Sequence, residues 1–266
     1  MLCVRQCPDL FSSQIKRALT GLGFLAALCL GLSLPALPSH AQSTQTSRVR
    51  IPISATGQAA IGRVRGRLQI GYDERGIGWG SPIYLRLIRD QKRLEVWVKG
   101  RRENYTRLRS YKICGANAPL GPRTTLRRPE QPEGFYAITR ASLRPQSVTY
   151  LGLDMGWPNA LDRASGWRGS ASLLQAGCSG QPHFGLTDQD MEEVYTLVHG
   201  ALARGQSDVP LHIFPFDMNA LNMLTKSRGQ NAVFWRSLEP AWSAFERTKK
   251  PPQVLVSGRR YIVSER

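Results

Sequence analysis

The sequence predicts a mostly β fold with α: a β-rich body carrying one central helix, followed by a helical C-terminal appendage. Three observations predict it. Short β-branched and aromatic runs recur between residues 83 and 154, separated by turn residues. One long apolar stripe of i, i+3/i+4 spacing falls at residues 189–204. Beyond residue 216 the pattern becomes helical over three short stretches and ends in a paired apolar run.

The elements follow in order. Residues 42–81 are polar and glycine-punctuated, with one short strand pattern around "RLQIGY", and read as a linker or an irregular N-terminal extension. The main domain, residues 82–215, opens with "IYLRLIR" and "RLEVWV", joined through Asp90-Gln91. "YTRLRSYKIC" continues the meander and places Arg107 and Arg109 on a solvated face. "GFYAIT", "VTYLGLDM" and "ASLL" supply further strands. Thr187-x-x-Asp190 has the spacing of a helix N-cap, and Met191, Val194, Val198, Ala201 and Leu202 line one face, so residues 189–204 are an amphipathic helix ending at Gly205. "VPLHIFPF" is a buried strand. In residues 216–266, "MNALNMLTK", "NAVFWRSL" and "PAWSAFER" are three helices, the last with Pro240 in its first turn, and "VLVSGRRYIV" is a hairpin.

The first 41 residues read as an export signal. Arg5, Lys16 and Arg17 form a positive start, Ala18 to Leu34 an apolar middle, and Ser39-His40-Ala41 a small-x-small end, which predicts cleavage near Ala41. The apolar run is too short and glycine-rich for a membrane span, and Leu28 before Cys29 argues against a lipid anchor. A periplasmic or otherwise exported location follows. Cys3, Cys7 and Cys29 leave with the signal, so the mature chain keeps Cys114 and Cys178, and in an oxidising compartment a disulfide is the default reading. If they pair, the bridge closes a loop of about 64 residues and contributes roughly 4 kcal/mol.

Charge narrows the partners. Loss of the signal lowers the net charge from +17 to about +15, and residues 51–128 alone hold 17 Lys or Arg against 5 Asp or Glu. Such a field favours polyanions, although solvated strand faces produce the same excess. For an exported chain the partners expected are anionic envelope polymers, acidic peptide stems, a membrane surface or an envelope protein, and not nucleic acid.

Several segments carry a resemblance. "RLEVWVK", "YKIC", "LGPR", "QPEGFYAITRASLRPQS", "GWPNALDRASGWRGSA", "TDQDMEEVYTLV", "GQSDVPLHIFPF" and "AFERTKKPPQV" occur in one collinear order over most of the mature chain. In them the chain resembles the L,D-transpeptidase catalytic-domain family (YkuD-type), in its YafK-like branch. The resemblance implies a β-rich fold with a cleft, an exported location, and peptidoglycan peptide stems, or proteins linked to them, as substrates. Members work by covalent catalysis: a cysteine thiolate attacks a carbonyl, an imidazole activates the thiol, and backbone amides hold the oxyanion.

The family motif is His-Gly followed, a few residues on, by Ser-x-Gly-Cys. Anchored from "PNALDRA" to "LTD" without a gap, Gln175-Ala176 stands at His-Gly, and residues 180–183, from Gly180 to Pro182 and His183, stand at Ser-x-Gly-Cys. Neither catalytic residue is present. Gln175 has no titratable nitrogen to take a thiol proton. Pro182 removes a backbone N–H beside the nucleophile position, where one oxyanion donor is worth roughly 3 kcal/mol. Cys178 and Cys114 fall on two further cysteines of the branch, which implies a structural disulfide between them. A shifted register would instead make Cys178 an alternative nucleophile, with "QAGC" as Ser-x-Gly-Cys. It needs a deletion before the motif and a five-residue insertion after it, and leaves Ser170 where the base belongs.

Other groups are read more simply. His199 belongs to a helix surface and His212 to a strand. Asp162, Asp188 and Glu193 are loop and cap carboxylates. Cys178 and His183 lack further ligands at metal-site spacing, so no metal and no cofactor is expected. Phe135, Tyr136, Trp157, Asn159, Trp167, Arg168 and Phe184 fall in segments that the family folds around its cleft, and are the expected ligand contacts, by stacking and charge pairing. The competing reading of these rings is core. The expected function is therefore a peptidoglycan- or partner-binding module that has lost the family chemistry, with an envelope enzyme using His183 or Cys178 as the alternative.

Overall fold

A computed structural model describes residues 50–125, 130–178 and 183–265. The expected signal peptide lies outside these residues, as do Gly180 and Pro182. Helix α1 spans Ala55–Asp73 and is followed by strands β1 (Ile83–Ile88), β2 (Arg93–Lys99), β3 (Tyr105–Lys112), β4 (Gly134–Thr139), β5 (Leu143–Ser147) and β6 (Tyr150–Asp154). Then come α2 (Ala160–Ala164), β7 (Leu173–Ala176), β8 (Phe184–Leu186), α3 (Asp188–Ala203) and β9 (Asp208–Phe214). The chain ends with α4 (Ala220–Lys226), α5 (Ala232–Thr248), β10 (Gln253–Ser257) and β11 (Arg260–Ser264). Helices account for about 34% and strands for about 30%, arranged as mixed sheets around a central helix. Among the described residues no helix is long and apolar enough to cross a membrane.

Five strands form one sheet in the order β3-β2-β1-β9-β4, antiparallel except for the parallel β1–β9 pair. Four form a second, β5-β6-β7-β8, with β7 and β8 parallel. Every residue of β1 is buried, because the larger sheet is covered on both faces. Ile83, Leu85 and Leu87 join the main core with α1, α3 and the second sheet, whereas Tyr84, Arg86 and Ile88 meet α5 and the terminal hairpin. Period-two alternation thus persists in β1, with two buried faces in place of one buried and one wet. Buried Arg86 is matched by Glu95 at 2.7 Å and Glu246 at 2.5 Å, and lies 4.3 Å over the Trp242 ring.

Residues 55–73, expected within a linker or irregular extension, are a helix instead, and "RLQIGY" is part of it. Ser54 caps it, its Oγ accepting from the Gly57 N–H at 3.0 Å while donating to the Pro145 carbonyl at 2.7 Å. The buried positions Ala60, Val64, Leu68 and Tyr72 recur every fourth residue. That stripe is only one residue wide and is interrupted by four glycines and three arginines, so periodicity and propensity alone do not expose it. Tertiary contact secures it. Arg63 and Arg67 reach across to Glu192 and Glu193 of α3, each at 2.6 Å. This is why α3 is buried almost all round. Its N-cap is as expected, with Thr187 Oγ1 accepting from Asp190 N–H at 3.1 Å.

The helices expected at "NAVFWRSL" and "PAWSAFER" are one continuous helix, α5, with Pro240 inside it. Pro240 is exposed, and its missing N–H removes one ladder bond. The buried stripe of Trp235, Leu238, Trp242 and Phe245 runs past it without interruption and keeps the two halves in one line.

Candidate functional site

Sheet pairing fixes the segment expected to carry the family motif. Gln175 of β7 sits opposite Gly152 of β6 and Gly185 of β8, and is buried. Ala176 beside it is fully buried. Gly177 takes the left-handed conformation (φ +88°) that turns the chain out of the strand, and its N–H donates to the Leu186 carbonyl at 2.9 Å. Cys178 follows, bonded to Cys114 at an S–S distance of 2.04 Å. Cys114 exchanges two backbone hydrogen bonds with Gly185, at 2.8 and 3.0 Å, so the end of the β3 segment is fastened to β8 twice over. Gly185 is where these backbones meet: a Cβ there would lie 2.3 Å from the Gly177 carbonyl. The shifted-register reading fails here, because a sulfur in a disulfide is not a nucleophilic thiolate.

His183 is held at both ends. Its Nδ1 accepts the Leu173 N–H at 3.0 Å, and its carbonyl accepts from Gln131 Nε2 at 2.7 Å. Gln131 also donates to the Gly115 carbonyl at 3.3 Å. Since Nδ1 accepts, the neutral ring carries its proton on Nε2. Burial, and after it the Arg123 guanidinium, pushes the His183 imidazole below its usual value. Neutral His183 is therefore a hydrogen-bond donor at Nε2, with no free basic nitrogen.

Arg123 and Gln131 are residues to which the sequence pattern assigned no role. Arg123 is 2% exposed, lies 3.8 Å over the Trp157 ring and donates to the Ser170 carbonyl at 3.1 Å. It stands in the quoted "LGPR" segment, but only packing reveals that it backs the His183 loop. Asp162 has a second role besides capping α2. It is fully buried, accepts from Asn159 N–H at 2.8 Å and from Tyr136 Oη at 3.1 Å, and burial pushes its carboxyl up to about 6.

The seven expected ligand contacts do not share one groove. Phe135, Tyr136 and Asn159 line a cavity of about 450 Å³ together with Arg163 and His212. Trp167 lines a different cavity of about 530 Å³, with Leu120, Glu130, Asn231 and Phe234. Trp157 is buried beneath Arg123, Phe184 is fully buried in the core, and Arg168 is exposed. Trp157 belongs to the main core, whereas half-buried Trp167 packs at the edge of both large core clusters, ten residues on and beyond α2. His212 is buried among the rings of Tyr84, Phe135 and Phe214, and His199 stacks on Tyr195. Glu193 is buried against Tyr111, Arg67 and Arg109, while Asp188 lies in the first turn of α3. Among the described residues no group of His, Cys, Asp and Glu is arranged to hold a metal ion.

No family model matches the chain. Over 186 residues, 70% of this chain and 75% of the relative, it is 38% identical to the Escherichia coli K12 protein described as "Putative L,D-transpeptidase YafK", and equally to its counterpart in E. coli O157:H7. Among solved structures it is similar to Bdellovibrio bacteriovorus Bd1075, with 11% identity, a TM-score of 0.37, and 66% of this chain and 78% of that one covered. It is also similar to Pgp2, a helical cell shape determining protein of Campylobacter jejuni, with 14% identity, a TM-score of 0.38, and coverage of 72% and 80%.

Proposed function

Since the chain belongs to the YafK-type L,D-transpeptidase family, we propose that it serves at the cell envelope as a binding module, for peptidoglycan or for a partner that works on it, without cysteine transpeptidation. One observation carries this reading. Cys178 is bonded to Cys114, and on the register read from the sequence Gln175 and His183 stand at the positions of the family's base and nucleophile. No thiol remains among the described residues to attack a carbonyl. The other route to catalysis, through His183, is opposed by the Leu173 N–H on Nδ1, which leaves the ring a donor. Export through the 41-residue leader and a basic net charge of the mature chain agree with an envelope polymer as ligand.

The test uses purified mature-length protein with isolated peptidoglycan sacculi and soluble muropeptides. Retention on sacculi with no change in muropeptide composition is the expected result. Muropeptide turnover that is lost in Cys178→Ala or His183→Ala would refute it.

A further inference from the structure

The cavity of about 530 Å³ is separate from the buried motif and has a chemistry of its own. Two half-buried rings, Trp167 and Phe234, form part of its wall, 6.1 Å apart at an interplanar angle of 69°. Pro119, Leu120 and Pro122 add an apolar side. The polar lining consists of Thr124, Glu130, Gln230 and Asn231. Glu130 Oε2 takes Thr124 N–H at 2.6 Å and Thr124 Oγ1 at 2.9 Å, which, among the bonds of the described residues, leaves Oε1 as an acceptor. Asn231 Nδ2 donates to the Leu120 carbonyl at 3.0 Å, which fixes the amide and leaves Oδ1 as an acceptor and one N–H as a donor. Aromatic faces beside outward acceptors match a pyranose ring, whose C–H faces stack and whose hydroxyl and acetamido groups donate. A carboxylate in the wall disfavours an anion.

The wall is also preformed. Arg89 donates to the carbonyls of Ala118, Pro119 and Gly121 at 3.0, 3.0 and 3.2 Å, and Glu133 accepts the Gly121 N–H at 2.8 Å. Gly121 itself has φ +139°, and a Cβ there would meet Asn231 Nδ2 at 2.5 Å. A rigid loop loses little entropy on binding.

We propose that this cavity is a subsite for one sugar ring of a neutral, N-acetylated glycan strand. It rests on the envelope-binding reading for the source of that strand. The neighbours fit: Arg123 between Pro122 and Thr124 reaches Ser170, and Gln131 after Glu130 holds His183.

The experiment titrates the full chain, expressed with its own leader, with chitotriose as a neutral N-acetylated trimer and with cellotriose for comparison, by calorimetry and tryptophan fluorescence. Saturable chitotriose binding is expected, weakened about ten-fold by Phe234→Ala, and unchanged by Arg163→Ala in the other cavity. Glu130→Gln, which keeps the loop's shape, serves should Phe234→Ala fail to fold, and is expected to weaken binding at an unchanged thermal midpoint. No saturation, or saturation indifferent to these substitutions in folded protein, overturns the proposal. Sacculus retention without trimer binding sinks the subsite and leaves the envelope reading standing. Trimer binding without sacculus retention does the reverse.

Discussion

Glu133→Gln tests how the fold holds its candidate surface together. Glu133 and Arg89 are both buried, with side-chain exposures of 0% and 1%, and their charges meet at 2.5 Å. Glu133 also accepts the Gly121 N–H on Oε1 and the Trp235 Nε1–H on Oε2, both at 2.8 Å. One carboxylate thus ties β1, the 118–121 loop and α5. Glutamine is nearly isosteric, but its amide NH2 must face a donor on one side, and the guanidinium loses its one ion-pair partner among the described residues. Removing one partner of a buried pair costs about 3–5 kcal/mol, and the retained carbonyl places this case near 3. For a folded unit of this size that lowers the thermal midpoint by roughly 6–12 °C. Urea unfolding under oxidising conditions measures the loss, and the Arg89→Met/Glu133→Gln pair should recover part of it, since the uncompensated charge is then gone. A loss below about 1 kcal/mol in the single variant would refute the reasoning. So would a double variant equal to the sum of the singles.

Three more outcomes are expected. Leu68→Ala, 1% exposed in α1, should destabilise the whole chain by about 2–4 kcal/mol in the same urea assay; a neutral result would return α1 to the status of a linker. Reduction of the disulfide, or Cys114→Ala with Cys178→Ala, should lower stability by roughly 4 kcal/mol through the freed 64-residue loop, and the oxidised mature protein should take up no iodoacetamide. Asp162, raised to about 6 by burial, keeps in the folded state a proton that the unfolded chain releases near 4, so its contribution to stability falls as pH rises from about 4 to 6. Asp162→Asn should abolish that fall, seen as a smaller difference between unfolding midpoints at pH 4.5 and 7 than in the wild type.

What could be read in the sequence followed from how local each signal was. Strands β1 to β4 and helix α3 declare themselves by runs and stripes within six to sixteen residues, and the Cys114–Cys178 pair by there being only two cysteines after residue 41. Helix α1 was missed because its stabilisation is tertiary: ion pairs to Glu192 and Glu193, 129 and 126 residues away in sequence. Pro240 misled for a similar reason, since the packing of Trp235 and Trp242 against the sheet decides that α5 continues. In the site, the proposed replacements at Gln175 and His183 rest on the sequence motif alone. The partners of His183 are not, because Gln131 and Arg123 approach it from a loop some 50 residues earlier. The aromatic cluster was legible as composition and misplaced in space, since burial and exposure of Trp157 and Trp167 depend on which ring Arg123 covers.

On the proposed reading, the bonding around His183 serves structure in place of the family chemistry. A catalytic base or nucleophile must have an atom free to change its bonding during reaction. Here the basic nitrogen of His183 and the sulfur of Cys178 are both engaged in holding the loop. His183 Nδ1 receives the Leu173 N–H, its carbonyl receives Gln131, and Gln131 in turn holds Gly115, the residue after Cys114. Cys114 closes the path through its bond to Cys178 and its two backbone bonds to Gly185, two residues beyond His183. These contacts make one closed path that passes through His183. Restoring cysteine at 183 alone would therefore remove the acceptor of the Leu173 N–H and still find glutamine in the base's place. His183→Cys should lose stability and gain no transpeptidation, whereas His183→Asn, with a side-chain carbonyl that can accept that N–H, should recover part of the stability; activity in the single cysteine variant would show that the loop is closer to a working site than its bonding implies.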